Sequence, residues 1–210
     1  MDGKRVDQAV RERIRPLLRA AGFHNFIGRR AWRSHDDTID HLVVGSLSRY
    51  IADGVGCTTF SFGVEAAVFY PCAEDIVTTR PKEYHGTFRF ILGKSLRQPF
   101  FCPYDKAGLD RPDVWYVLPD ASNLDECMTD AVGAVQNQGL ALMDRYTEPH
   151  HAYRALLTQR SSAVGYDNPQ VWMPGNPGSP RWRKTTEAIG TLIGADVQND
   201  LRNAPVLSTS

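Results

Sequence analysis

The sequence has no uninterrupted apolar run near the ~20 residues that a helical membrane span requires. Its four cysteines, Cys57, Cys72, Cys102 and Cys127, form no CxxC unit. It has no net charge, with 24 basic side chains against 24 acidic ones. Each absence excludes something. No membrane association is expected. Free, mostly buried thiols in a reducing compartment are expected. Balanced charge gives no general polyanion signal. There is also no Gly-x-Ser-x-Gly elbow, no Walker loop and no Gly-x-Gly-x-x-Gly fingerprint. Gly54-Val55-Gly56 is read as a turn, because no helical pattern follows it. No catalytic residue, metal ligand or cofactor is therefore assigned. The first residues, Met1 to Arg5, lead into a charged amphipathic stretch and not an apolar signal core, so a cytoplasmic location is expected.

What is present describes an ordinary globular chain. Apolar residues make up 42% of 210, which is too many for a disordered segment. That length supplies a core without disulfides or metals. The neutral total hides an asymmetry. Residues 1–33 hold nine basic and three acidic side chains, a balance of +6 offset by −6 in the remainder. A basic helix face complementing an acidic surface of the same molecule is the leading expectation. A patch for nucleic acid or an acidic partner is the alternative.

Hydrophobic periodicity predicts the elements. Val6, Val10, Ile14, Leu17, Leu18 and Ala21 recur at helical spacing, with a kink expected at Pro16 and a stop at Gly22. Strands are expected over Phe26–Arg33, Ile39–Tyr50, the segment around Phe60–Tyr70, and Tyr84–Leu92. Phe60, Phe62, Val64, Ala66, Val68 and Tyr70 alternate with more polar neighbours and are assigned to the core side. Short turns between these strands imply antiparallel pairing. A helix beginning at Ser122, capped with Asp125 three residues on, is interrupted at Asn137–Gly139. Shorter helices follow over Leu140–Tyr146 and Pro149–Gln159. Residues 161–180, with four prolines, read as a loop, and Arg181–Leu201 as a last helix. The predicted architecture is an α+β domain over residues 1–160. It has an antiparallel sheet of four or slightly more strands and helices packed on one face. Residues 161–210 form a Pro/Gly-rich loop and a helix packed on that domain.

The arrangement resembles a family of uncharacterised bacterial proteins, domain-of-unknown-function family 4304. Four short features carry the resemblance. They are Leu17-Leu18-Arg19-Ala20-Ala21-Gly22-Phe23 before the basic, aromatic Arg29–Arg33 stretch, Phe62-Gly63-Val64, His85-Gly86-Thr87-Phe88-Arg89, and Asp113-Val114-Trp115-Tyr116 ahead of a helix and Gly139-Leu140. Tyr116 stands where the family pattern has a second tryptophan. The resemblance spans about residues 4–160. It implies the fold, and it supplies no reaction, cofactor or site.

Side chains alternate across a strand. His85, Thr87 and Arg89 are therefore expected on one face, with Glu65 and Ser61 on the polar face of the preceding strand. A histidine, an arginine and a carboxylate on an open sheet face could bind an anion. A simple Glu–Arg cross-strand pair explains the same residues. Trp172 and Trp182 flank the Pro-rich loop, either as its anchors or as an exposed patch for a partner. His35-Asp36-Asp37 with Asp40-His41 is read as hairpin-turn chemistry, not a metal site. Adjacent His150 and His151 point in different directions on a helix, which suits a helix start and not a pair of ligands. Three functions follow in order. The first is a non-enzymatic module binding a protein or small molecule on the open sheet face, as monomer or homodimer. The second is a small hydrolase or transferase with a His/Arg anion site. The third is nucleic-acid binding through the basic N-terminal helix.

Overall fold

A computed structural model describes residues 3–96, 111–158 and 170–203. The chain folds as an α+β unit around one six-stranded antiparallel sheet. The strands are β1 (Asn25–Ile27), β2 (Arg30–Ser34), β3 (Ile39–Ser46), β4 (Phe62–Phe69), β5 (Phe88–Ile91) and β6 (Gln170–Trp172). They lie side by side in chain order. The helices are α1 (Gly3–Ala9), α2 (Arg15–Ala20), α3 (Arg49–Val55), α4 (Leu124–Ala134), α5 (Ala141–Thr147), α6 (Pro149–Thr158), α7 (Pro180–Leu192) and α8 (Val197–Asn203).

The N-terminal helix is continuous from α1 to α2 through a π segment, Val10–Ile14. Its buried residues Val6, Val10, Ile14 and Leu18 are spaced by four. Four-residue steps drift off a 3.6-residue period, and the wider π turn takes up that drift. Pro16, which lacks an N–H, directly follows the π segment, where the regular i→i−4 ladder is already interrupted. Gly22, at φ +88°, ends the helix. The Gly22 N–H donates to the Arg19 carbonyl and the Phe23 N–H to the Leu18 carbonyl, both at 3.0 Å, a Schellman arrangement.

The alternation read in β4 is the alternation of the fold. Phe62, Val64, Ala66 and Val68 join the main core beneath α1, α2, α4, α5, α6 and α7. Several expected boundaries move. Phe26–Arg33 is a hairpin of two strands, because Gly28 turns at φ +58°. The third strand stops at Ser46. Ser48 then accepts a hydrogen bond from the Ile51 N–H and caps α3, which ends at Gly56 with φ +78°. The Asp53–Gly56 turn signal is thus a helix C-terminus. The Ser122/Asp125 cap does not form. Asn123 precedes α4, and its side chain instead accepts from the Leu118 N–H and donates to the Tyr116 carbonyl. The expected break at Asn137–Gly139 is a π segment, Val135–Leu140, that carries α4 into α5. Gly139 sits there against Leu92, which a Cβ would approach to 2.9 Å. The single helix over Arg181–Leu201 is two, α7 and α8, divided at Gly194 with φ +67°. Of the described cysteines, only Cys127 is buried, while Cys72 is exposed and Cys57 half-buried; Cys102 lies outside the described residues.

The side of the sheet away from the helices is only partly open. The segment 71–86 crosses it. Trp32, Ile39 and Phe69 form a second apolar cluster on this side, and the Trp32 indole donates to the Pro81 carbonyl at 2.8 Å. Gly86 lies so close over the sheet that a Cβ there would stand 2.7 Å from that of Ala67. No helix among the described residues is long and apolar enough to cross a membrane.

Candidate functional site

Antiparallel register puts directly opposed residues on the same side of a sheet. Two adjacent rows therefore cross the outer face. One runs Trp32, His41, Ala67, Arg89, Trp172. The other runs Arg30, Val43, Glu65, Ile91, Gln170. Next to them Gly45 opposes Gly63; a Cβ on Gly45 would meet open space, and one on Gly63 would stand 3.2 Å from the Asp113 carbonyl. Glu83 approaches from the short 3-10 turn Glu83–His85. The uncovered half of this face is a cleft of about 410 Å³ lined by Arg29, Arg30, Val43, Gly45, Glu65 and Glu83, among others.

Charge in the cleft is arranged in pairs. Arg89 Nη2 donates to Glu65 Oε2 at 2.9 Å, the cross-strand pair expected from the alternation. Arg29 donates from each of its three nitrogens, to Asp7 at 2.5 Å, Ser46 at 2.6 Å and the Gly3 carbonyl at 3.1 Å. Arg30 and Glu83 approach only to 3.5 Å, and both side chains are partly exposed.

Several polar atoms on this face are buried without a hydrogen-bond partner among the described residues. They are Arg30 Nε, both ring nitrogens of His41, Glu83 Oε2, Arg89 Nε and Trp172 Nε1. A buried polar group left unpaired costs about 1–3 kcal/mol, so such groups are few in native proteins. Thr38 Oγ1, His151 Nε2 and Thr185 Oγ1 are also unpaired, but the larger group lies on this face. His41 is the extreme case, 1% exposed and stacked on Trp32 with ring centroids 5.2 Å apart. Burial pushes its imidazole down to about 4; Glu83 opposes the shift and Arg30 adds to it. His41 is therefore neutral at pH 7. Burial alone would raise the Glu83 carboxyl, but its own backbone hydrogen bond and Arg30 together hold it below the ordinary carboxylate value.

Only part of the expected site assembles. Arg89 and Glu65 meet, and Trp172 stands beside Arg89. His85, Thr87 and Arg89 do not share a strand face, because β5 starts at Phe88. His85 ends the 3-10 turn, its Nδ1 accepting from the Lys82 N–H and its ring edge-on to Tyr84. Thr87 is buried. Its hydroxyl accepts from the Tyr70 N–H at 3.0 Å. Ser61 precedes β4 and is buried; its hydroxyl accepts from the Val117 N–H. Trp182 is buried in α7, its indole donating to the Leu156 carbonyl, so it offers no exposed patch.

Arg30, His41 and Glu83 were not anticipated. One signal for His41 was available, the alternation of Ile39, His41, Val43 and Gly45 against Asp40, Leu42 and Val44. The aspartates beside it suggested a turn instead. Asp40 in fact lies at the heart of a separate buried network. It accepts from Arg33 Nε at 2.7 Å and from Thr147 Oγ1 at 2.9 Å, with His35 Nε2 at 2.9 Å.

The basic N-terminal residues are mostly occupied within the chain. Arg13 binds the Asp125 carbonyl and Thr129. Arg15 and Arg19 lie over Phe26. Arg33 joins Asp40 and Asp144. Among the described residues no cluster of His, Cys, Asp or Glu is placed to hold a metal ion. No protein-family model, curated protein or solved structure matches the chain. The resemblance to family 4304 rests on its short motifs alone.

Proposed function

We propose that this protein is a non-enzymatic binding module whose ligand, a small polar molecule, occupies the outer-face cleft. One observation carries the reading: two residues that line the cleft, Arg30 and Glu83, each keep a buried polar atom without a partner among the described residues. A ligand bearing donors and acceptors supplies the missing bonds, which is how a largely pre-formed polar site gains specificity. Catalysis is the weaker reading, because the hydroxyl that lines the cleft, Ser46, accepts from Arg29 Nη1 at 2.6 Å and has no hydrogen bond to a base among the described residues. Ser61 and Thr87, the hydroxyls expected at the site, accept hydrogen bonds from backbone N–H groups.

Gly45 offers a direct test. It lines the cleft, and a Cβ there meets open space. Gly45→Tyr is expected to fill the cleft without unfolding the chain. In a thermal-shift screen of amino acids, amines, carboxylates, nucleosides and sugars at millimolar concentration, at least one compound should raise the wild-type midpoint. The same compound should leave Gly45→Tyr unmoved. A screen in which no compound acts, or in which both proteins respond alike, overturns the reading.

A further inference from the structure

The charge balance of the cleft narrows what it accepts. Its lining holds two arginines, Arg29 and Arg30, and two carboxylates, Glu65 and Glu83, and each is paired: Arg29 with Asp7 and Glu65 with Arg89, both outside the lining, and Arg30 with Glu83 within it. The first two pairs are close, at 2.5 and 2.9 Å. The third is open at 3.5 Å, and each member retains a buried atom with no partner among the described residues, Arg30 Nε and Glu83 Oε2. Beneath them His41 adds no charge at neutral pH. A singly charged ligand entering this neutral site leaves one unmatched charge in a partly desolvated place, which is unfavourable. A ligand with both signs does not.

Building on the binding-module reading, we infer that the outer-face cleft takes a small zwitterion of the α-amino-acid type, seated head-to-tail against the Arg30–Glu83 pair. The ligand carboxylate accepts from the Arg30 guanidinium, a planar fork suited to that geometry. The ligand ammonium donates to the Glu83 carboxylate. Opposite charges separated by one α-carbon suit a protein pair that is itself loosely joined. On binding, rotation of the Arg30 and Glu83 side chains turns their unpaired atoms from the sheet toward the ligand. Val43 and the glycine backbone at Gly45 form the floor on which the ligand side chain lies. At 410 Å³ the cleft has room for one such molecule.

The test uses the full chain and isothermal titration. The twenty free amino acids are titrated first. The best binder is then compared with its decarboxylated amine and its deaminated acid. The zwitterion should bind at least tenfold more tightly than either. Arg30→Gln should erase the advantage over the amine, and Glu83→Gln the advantage over the acid. If Arg30→Gln loses its folded circular-dichroism spectrum, Arg30→Lys replaces it; this keeps the charge, removes the fork, and should weaken the zwitterion while preserving the sign preference. A singly charged analogue binding as well as the zwitterion overturns the inference. So does a result in which no amino acid binds while another compound of the thermal-shift screen does; the binding-module reading then survives alone. If nothing binds in either experiment, both fall.

Discussion

His41 concentrates the electrostatics of the outer face in one ring. It titrates near 6.5 when exposed and near 4 in the fold. Between those values the unfolded chain binds more protons than the folded one. Stability therefore falls as pH drops from about 6.5 to about 4, by about 3 kcal/mol at most, and this contribution is level above that window. His41→Phe, which keeps a ring against Trp32, should flatten the acid side of the profile. Urea midpoints at pH 7.5 and pH 4.5 measure it. The wild type should lose far more of its midpoint between the two than the variant does, and equal losses would assign the slope elsewhere. Glu65 and Arg89 stand apart from His41 in one respect: strict alternation in β4 made their meeting legible from sequence. His41 sits in a strand buried on both faces, so its period-two register was visible but the weak polar–apolar contrast did not show that it faces away from the helices.

Among the elements, the most legible were those whose burial is one-sided. The N-terminal helix and the first half of β4, Phe62–Glu65, each show one apolar face, and periodicity found both; from Ala66 on β4 is buried on both sides. β6 was invisible for the opposite reason. Gln170-Val171-Trp172 is too short to show a period and sits in a proline-rich stretch. Its strand character comes from pairing with β5, a tertiary effect. The start of β5 was misplaced because the close pass of Gly86 over Ala67 is not written in local propensity. α7 follows β6 and is held by Trp182, whose ring is buried and whose indole N–H reaches α6. Trp182→Ala should cost about 3–5 kcal/mol. Chemical denaturation checks this, and a loss below 1 kcal/mol would mean that α7 contributes little to the core.

For the molecule as a whole, the segment after residue 170 completes both the core and the outer face. Ile189 and Trp182 belong to the main core, and Val171 packs against it. Trp172 flanks Arg89. A chain ending at residue 158 would leave that apolar surface bare and the β5 edge unpaired, an invitation to edge-to-edge association. Such a truncation should be recovered aggregated or lacking a cooperative thermal transition. A soluble, cooperatively unfolding 1–158 fragment, seen by size-exclusion chromatography and calorimetry, would refute this.

The strand order has a kinetic meaning. The first five strands pair with neighbours close in sequence, which keeps loop-closure entropy low and lets them zip together early. The β5–β6 pairing instead joins Ile91 to Gln170, across the helices α4 to α6. During synthesis the sheet can form as five strands long before its sixth exists. The residues that line the cleft all lie between Arg29 and Glu83, so the cleft belongs to the part of the sheet that can form first, and Trp172 joins the outer face beside Arg89 last.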